Sequence, residues 1–314
     1  MNAFLRTLAL AAIALTFVVI VAGAYVRLSD AGLGCPEWPL CYGKPLPSGI
    51  AGSDALAKAW KEMGHRYLAG ALGILIFAIF LVALKERHSR ALAAAILALV
   101  VLQATLGKWT VTMLLKPAIV TLHLLGGMAT LALLVLLYLQ QRSYASASQA
   151  RRLRPAAAAS LAVLIVQIAL GGWVSANYAA LACPDLPGCL GWAFPPMDFA
   201  NAFHVLRELG RTGEGGLLSL QALVAIHWTH RIFALAAVAV VGFTVFRCLR
   251  IQALRGTAIF IAGLLALQFM LGIANVVFGL PLALAAAHNA GAALLLVSIV
   301  VLNFFVFRGL RPSQ

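Results

Sequence analysis

The sequence predicts an all-α integral membrane protein of eight transmembrane helices, arranged as two tandem, pseudo-symmetric four-helix bundles with the N- and C-termini cytoplasmic. Three observations carry that expectation. Hydrophobic residues make up 63% of the 314 and charged residues only 10%, a balance too apolar for a soluble domain of this length. Apolar runs of the roughly 20 residues needed to cross a bilayer fall near residues 4–26, 66–84, 91–113, 118–139, 156–177, 222–246, 257–279 and 283–307. The second half of the chain also repeats the first.

The repeat is legible residue by residue. Gly23-Ala-Tyr-Val26 through Cys35-Pro-Glu-Trp-Pro-Leu-Cys41 matches Gly171-Gly-Trp-Val174 through Cys183-Pro-Asp-Leu-Pro-Gly-Cys189 at an offset of 148 (183 − 35). From the second helix of each half the offset becomes 165 (230 − 65), aligning His65 with His230, Arg66 with Arg231, Leu106-Gly107 with Leu271-Gly272 and His123 with His288. The difference of 17 (165 − 148) is an insertion in the second outer loop. The expected organisation is an N-terminal bundle (1–141), a basic cytoplasmic linker (142–155) and a C-terminal bundle (156–314). An even number of helices per half keeps both halves in one orientation, a parallel repeat.

Sidedness follows from Lys and Arg in the short loops, which favour the cytoplasm. With the N-terminus inside, the inner segments hold Arg6, Lys85, Arg87, Arg90, Arg142, Arg151, Arg152, Arg154, Arg247, Arg250, Arg255, Arg308 and Arg311 against the single acid Glu86. The outer segments are near neutral. The net charge of +14 is therefore mostly a topological signal, and no nucleic-acid partner is expected.

Taken in order, the first apolar run follows Arg6 as a signal peptide would. Its match to the fifth run identifies it instead as a retained helix, and the absence of an Arg- and Ser-rich presequence favours a bacterial inner (cytoplasmic) membrane. The first outer loop carries Cys35 and Cys41, and its counterpart carries Cys183 and Cys189. An oxidising exterior permits two disulfides, Cys35–Cys41 and Cys183–Cys189; they are structural, or one pair is redox-active. In the inserted loop, Phe203-His-Val-Leu-Arg-Glu-Leu209 reads as a short helix on the membrane surface. Cys248 reads as a free thiol of an inner loop, and His88 and His204 receive no role.

The second and fourth helices of each half each carry one histidine, with the same spacing of 58 (123 − 65 and 288 − 230). Ionisable groups within membrane helices are costly and mark functional sites. Two imidazoles from non-consecutive helices of a bundle, with no thiolate or carboxylate cluster, suit the two axial positions of a heme iron better than zinc. The expected iron ligands are His65, His123, His230 and His288, about one turn from the outer helix ends. Arg66 and Arg231 are candidates for the heme propionates, since guanidinium pairs bidentately with carboxylate; Gly126, Gly127 and Gly291 would let a flat macrocycle approach the backbone. Three residues before the ligand, on the same helical face, the first half has Glu62 and the second His227. Glu62 is placed to move protons or to stabilise positive charge; His227 is a hydrogen-bond partner or an alternative ligand.

Cys-Pro-Glu-Trp-Pro-Leu-Cys, Glu-Met-Gly-His-Arg, Leu-Gln-Ala-Thr-Leu-Gly, Cys-Pro-Asp-Leu-Pro-Gly-Cys and Ile-His-Trp-Thr-His-Arg together resemble the heme A synthase (COX15/CtaA) family over nearly the whole chain. The resemblance implies an oxidoreductase acting on heme o, whose ring methyl is oxidised to formyl through hydroxylated intermediates to supply heme a to cytochrome oxidase. It implies that His65 and His123 hold the substrate heme, that His230 and His288 hold a heme b, and that Glu62 is catalytic. It also implies delivery of heme o, as by a heme O synthase, and an unidentified electron-transfer partner. A homo-oligomer within the lipid bilayer is compatible with it. With both axial positions filled, oxidation of the substrate followed by attack of water on the activated methyl is the expected route. The competing reading is a diheme b-type electron carrier or quinol oxidoreductase, which would set two similar hemes across the membrane, whereas all four expected ligands lie toward the outer face.

Overall fold

The computed structural model describes residues 3–50, 52–87 and 89–312, so His88 lies outside the described residues. Eight long helices run through them: α1 (Ala3–Leu28), α2 (Ser53–Lys85), α3 (Arg90–Thr112), α4 (Pro117–Gln140), α5 (Arg154–Ala176), α7 (Leu220–Leu249), α8 (Arg255–Val277) and α9 (Leu282–Arg308). A single-turn helix, α6 (Phe199–Ala202), lies between α5 and α7. All eight long helices have the length and composition to cross a membrane, where a backbone must bond to itself because lipid supplies no partners. The chain is a multi-pass membrane protein.

Local chemistry sets the helix ends. Pro117 and Pro155 fall in first turns, where a missing N–H costs nothing. Ser219 caps α7, its hydroxyl accepting from Ala222 N at 3.2 Å. Gly309, at φ 65°, closes α9 in the left-handed conformation.

Two boundaries differ from the sequence expectation. Helix α2 starts at Ser53, not near residue 66, because the charges of Asp54, Lys58, Lys61 and Glu62 depress local hydropathy without opposing helix formation; Lys58 pairs with Asp54 at 3.3 Å. His65 therefore lies about three turns inside its helix. Cys248, expected in a loop, is buried within the last turn of α7.

The insertion also departs from expectation. The helical turn is Phe199–Ala202, capped by Asp198, and the stretch from Phe203 to Leu209 is not helical. Arg207, 2% exposed, explains this. Its guanidinium donates to Asn201 O at 3.2 Å, Glu208 O at 3.4 Å, Arg211 O at 3.5 Å and the Asn177 side chain. The segment wraps around this side chain, giving its carbonyls to it and not to a helical ladder. Burial lowers the Arg207 pKa from its usual value, and Trp173 beneath it donates to Ala202 O at 2.9 Å.

Helix packing follows the repeat. In the first half α1 packs on α2 and α4, and α3 on α2 and α4; in the second, α5 packs on α7 and α9, and α8 on α7 and α9. Between the halves the contacts are α4 with α5, α1 with α9, and α4 with α9. Exchanging the halves turns the first of these into the second and returns the third to itself. Two contacts join positions related by the repeat offset of 148: Tyr178 donates to Asp30 at 3.0 Å, and Arg27 donates to Ser175 O at 2.9 Å. Helix α9 is the most enclosed, with 67% of its apolar window buried against 11% for that of α8. At the linker end, β1 (Tyr144–Ser146) pairs antiparallel with β2 (Leu310–Pro312), and Arg154 donates to Phe307 O at 2.8 Å, a favourable place for a cation at the C-terminus of α9.

Replacing Arg207 by alanine removes charge-assisted hydrogen bonds worth about 1.5–3 kcal/mol each. Limited proteolysis should then cut the segment 203–216 at least about 10-fold faster, with cleavage elsewhere unchanged.

Candidate functional site

Both expected disulfides form, Cys35–Cys41 and Cys183–Cys189, with all four cysteines fully buried. The two loops are built alike. The acid two residues after the first cysteine accepts from the turn beyond the second: Gly43 N donates to Glu37, while Leu190 N and Gly191 N donate to Asp185 at 2.6 and 2.8 Å. The Gly191 amide is the main cause that holds the Asp185 carboxyl below the usual range. The peptide bonds before Pro39 and Pro187 are cis. Gly34 lets the first loop approach α2, since a β-carbon there would lie 2.6 Å from the Lys58 carbonyl.

An arginine of the next helix pins each loop. Arg66 donates to Leu40 O at 3.1 Å and Pro39 O at 3.3 Å; Arg231 donates to Asp185 O at 2.9 Å, Gly188 O at 3.0 Å and Cys183 O. The residue one turn earlier completes the bracket. Glu62, 4% exposed, forms an ion pair with Arg66 and accepts from Cys35 N at 2.9 Å. His227, 5% exposed, accepts from Arg231 Nε at 3.2 Å. Both arginines are thus engaged with loop carbonyls, and Glu62 links the disulfide loop to the turn bearing His65.

The four histidines are held in one recurring way. Each imidazole packs its Cε1 edge on a glycine of a neighbouring helix. A β-carbon at Gly23 would lie 2.9 Å from His65, at Gly107 3.3 Å from His123, at Gly171 3.1 Å from His230, and at Gly272 3.4 Å from His288.

The glycines named from sequence do other work. Gly126 and Gly291 receive the side chains of Gln103 and Gln268, and Gly127 faces Ile20. Gln268 also donates to His288 O at 2.8 Å. The repeat-equivalence of Gly107 with Gly272 and of Gly23 with Gly171 was the available clue to the glycines that do face the histidines. Gln167, which sequence reasoning did not single out, lies 3.2 Å from His230 Nδ1 and donates to His230 O. Position 19, its counterpart, is a valine.

The donor set of each half suits a heme better than a metal cage. Among the described residues no cluster of three or more His, Cys, Asp or Glu forms a metal cage, whereas each half carries two imidazoles, each seated on a glycine of a neighbouring helix. The buried polar atoms without a hydrogen-bond partner include Nδ1 of His65, His123 and His288, and Gln167 Oε1 on the side chain that lies beside His230. Such atoms cost about 1–3 kcal/mol each when nothing satisfies them.

Comparison with known proteins gives the same direction. The family model COX15-CtaA, described as cytochrome oxidase assembly protein, matches residues 6–300. A heme A synthase of Shewanella oneidensis is 44% identical over 308 residues, covering 93% of each chain. One from Rhizorhabdus wittichii is 30% identical over 95% of this chain and 92% of its own, and one from Caulobacter vibrioides 28% identical over 95% and 94%.

Replacing Arg66 by methionine frees the loop carbonyls and Glu62. The Cys35–Cys41 bond should then be reduced by an external phosphine about 10- to 100-fold faster, as expected for loss of about 1.5–3 kcal/mol of charged hydrogen bonding. Alkylation and peptide mass spectrometry should show Cys183–Cys189 unchanged.

Proposed function

The chain belongs to the COX15-CtaA family of cytochrome oxidase assembly proteins, and from that premise we propose that it acts as a heme A synthase. It is an oxidoreductase of the bacterial inner membrane that converts heme o, its substrate, into heme a for cytochrome oxidase, the ring methyl becoming formyl through hydroxylated intermediates. The near-full-length relatives bearing that name support the activity.

The halves, 1–141 and 156–314 with a linker at 142–155, are tandem four-helix bundles, and the matched packing supports this. The basic inner segments favour cytoplasmic termini, which turns the heme sites toward the outer face. His65 and His123 hold heme o; His230 and His288 hold heme b, which when bound supplies reversible one-electron transfer.

One observation carries the assignment of roles: the residue one turn before the arginine is in the first half a carboxylate bonded to a disulfide-loop amide, and in the second an imidazole bonded to the arginine itself. Arg66 and the Cys35 amide both bond to the Glu62 carboxyl group, which sets it on the same helical face as His65, three residues earlier. When ionised, Glu62 there stabilises positive charge developing on the substrate as electrons leave it, and its carboxylate can take the proton of an attacking water. Arg66 and Arg231 are the propionate partners, a carboxylate competing with loop carbonyls for the same guanidinium. A heme O synthase supplies the substrate, a separate electron-transfer partner completes the cycle, and a homo-oligomer is compatible with the exposed lipid face.

Mass spectrometry of hemes extracted from the purified protein, expressed with and without a heme o supply, tests the activity. Hydroxylated or formylated heme should appear only with the supply; heme b alone in both, with heme o present in the cells, supports the electron-carrier reading. Glu62→Ala should retain both hemes while lowering conversion about 10²- to 10⁴-fold, the usual loss on removing a positioned acid–base group. His288→Ala should lose the heme b absorption and retain the substrate heme.

A further inference from the structure

On the opposite end of the second half, α5 and α7 enclose a groove of about 460 Å³. Its walls are apolar, formed by Ala156 and Ala159 of α5 and by Val240 and Phe243 of α7, and Arg152 and Arg247 stand among its lining residues. The one hydroxyl there, Thr244, is occupied internally: it accepts from Ser160 at 2.8 Å and donates to Ala156 O at 3.1 Å.

The two arginines are exposed. Among the described residues the ion pairs are Lys58–Asp54 and Arg66–Glu62, so neither arginine has a carboxylate partner. Arg247 stacks over Phe243, 5.7 Å from the ring centroid, which ties its cation to the groove wall. The repeat makes the pair conspicuous. The equivalent positions of the first half, 4 (152 − 148) and 82 (247 − 165), are Phe4 and Val82, so this half alone carries cations there.

We propose that this groove is a binding site for an anionic phospholipid, one acyl chain lying between α5 and α7 and the headgroup phosphate between Arg152 and Arg247. The charge complementarity chooses the occupant. A hydrocarbon slot beside two unpaired guanidinium groups at the membrane–water boundary matches an acyl chain with a negative head, and guanidinium pairs bidentately with phosphate. A zwitterionic lipid would fill the same slot without the net attraction.

The full-length protein in detergent, titrated with phosphatidylglycerol or with phosphatidylcholine of the same acyl chains and followed by native mass spectrometry, tests this. Wild type should bind phosphatidylglycerol preferentially. Arg152→Gln and Arg247→Gln should each weaken that binding about fivefold, the equivalent of about 1 kcal/mol per basic residue near a lipid surface, and together about 25-fold. Ala159→Phe, which fills the slot and keeps both charges, should weaken it as well. The control pair Arg250→Gln and Arg308→Gln should change it less than twofold. Equal binding of the two lipids, an equal loss in the control pair, or full binding by Ala159→Phe would each overturn the proposal. Retained heme content certifies that every variant is folded.

Discussion

Two guanidinium groups organise the disulfide-loop end of this molecule. Arg66 and Arg231 each follow a histidine directly, and each spends its donors on the carbonyls of a disulfide loop. A cation withdrawn from water is sustainable only with such partners, so the loop must sit where the arginine needs it. The residue one turn earlier is drawn into the same bracket, Glu62 in one half and His227 in the other. Loop, bridging residue and imidazole are thereby set on adjoining turns of one helix. The site inherits its geometry from a charge that has to be satisfied.

The membrane imposes the complementary constraint. Hydrocarbon offers no hydrogen bonds, so the hydroxyls within the helices turn back on the preceding turn, as Thr16, Thr121, Thr130 and Ser298 do. Against that background the unpaired Nδ1 atoms of His65, His123 and His288 stand out. The glycine under each imidazole gives the ring room at the price of helix propensity.

Much of this was legible in the sequence because duplication writes everything twice. The cysteine pairs and the offsets of 148 and 165 foretold the two disulfide loops and the matched helix packing. Single side chains that act at long range were not legible. Arg207 looked like one more loop cation, yet it folds the insertion around itself and removes the helix that Phe203–Leu209 suggested. The start of α2 was hidden because hydropathy reports burial in lipid, whereas helix formation above the membrane depends on neither. Gly126 and Gly291 receive the side chains of Gln103 and Gln268, a contact decided by the neighbouring helix and so not visible in their own segment.

The contact between Asp30 and Tyr178 has a further meaning. The two residues occupy the same place in the repeat, so in a symmetric pair of identical four-helix chains that position would meet its own copy across the axis. An aspartate facing itself repels, and a tyrosine facing itself leaves a donor and an acceptor to be shared by two equal partners. Joining the copies in one chain lifts that restriction. One copy can become the donor and the other the acceptor, and Arg27 can then stack on the tyrosine at 3.7 Å without an identical arginine opposing it. Covalent fusion thus makes available an asymmetric centre that no pair of identical subunits could hold, the same freedom that lets one half keep a glutamate where the other has a histidine.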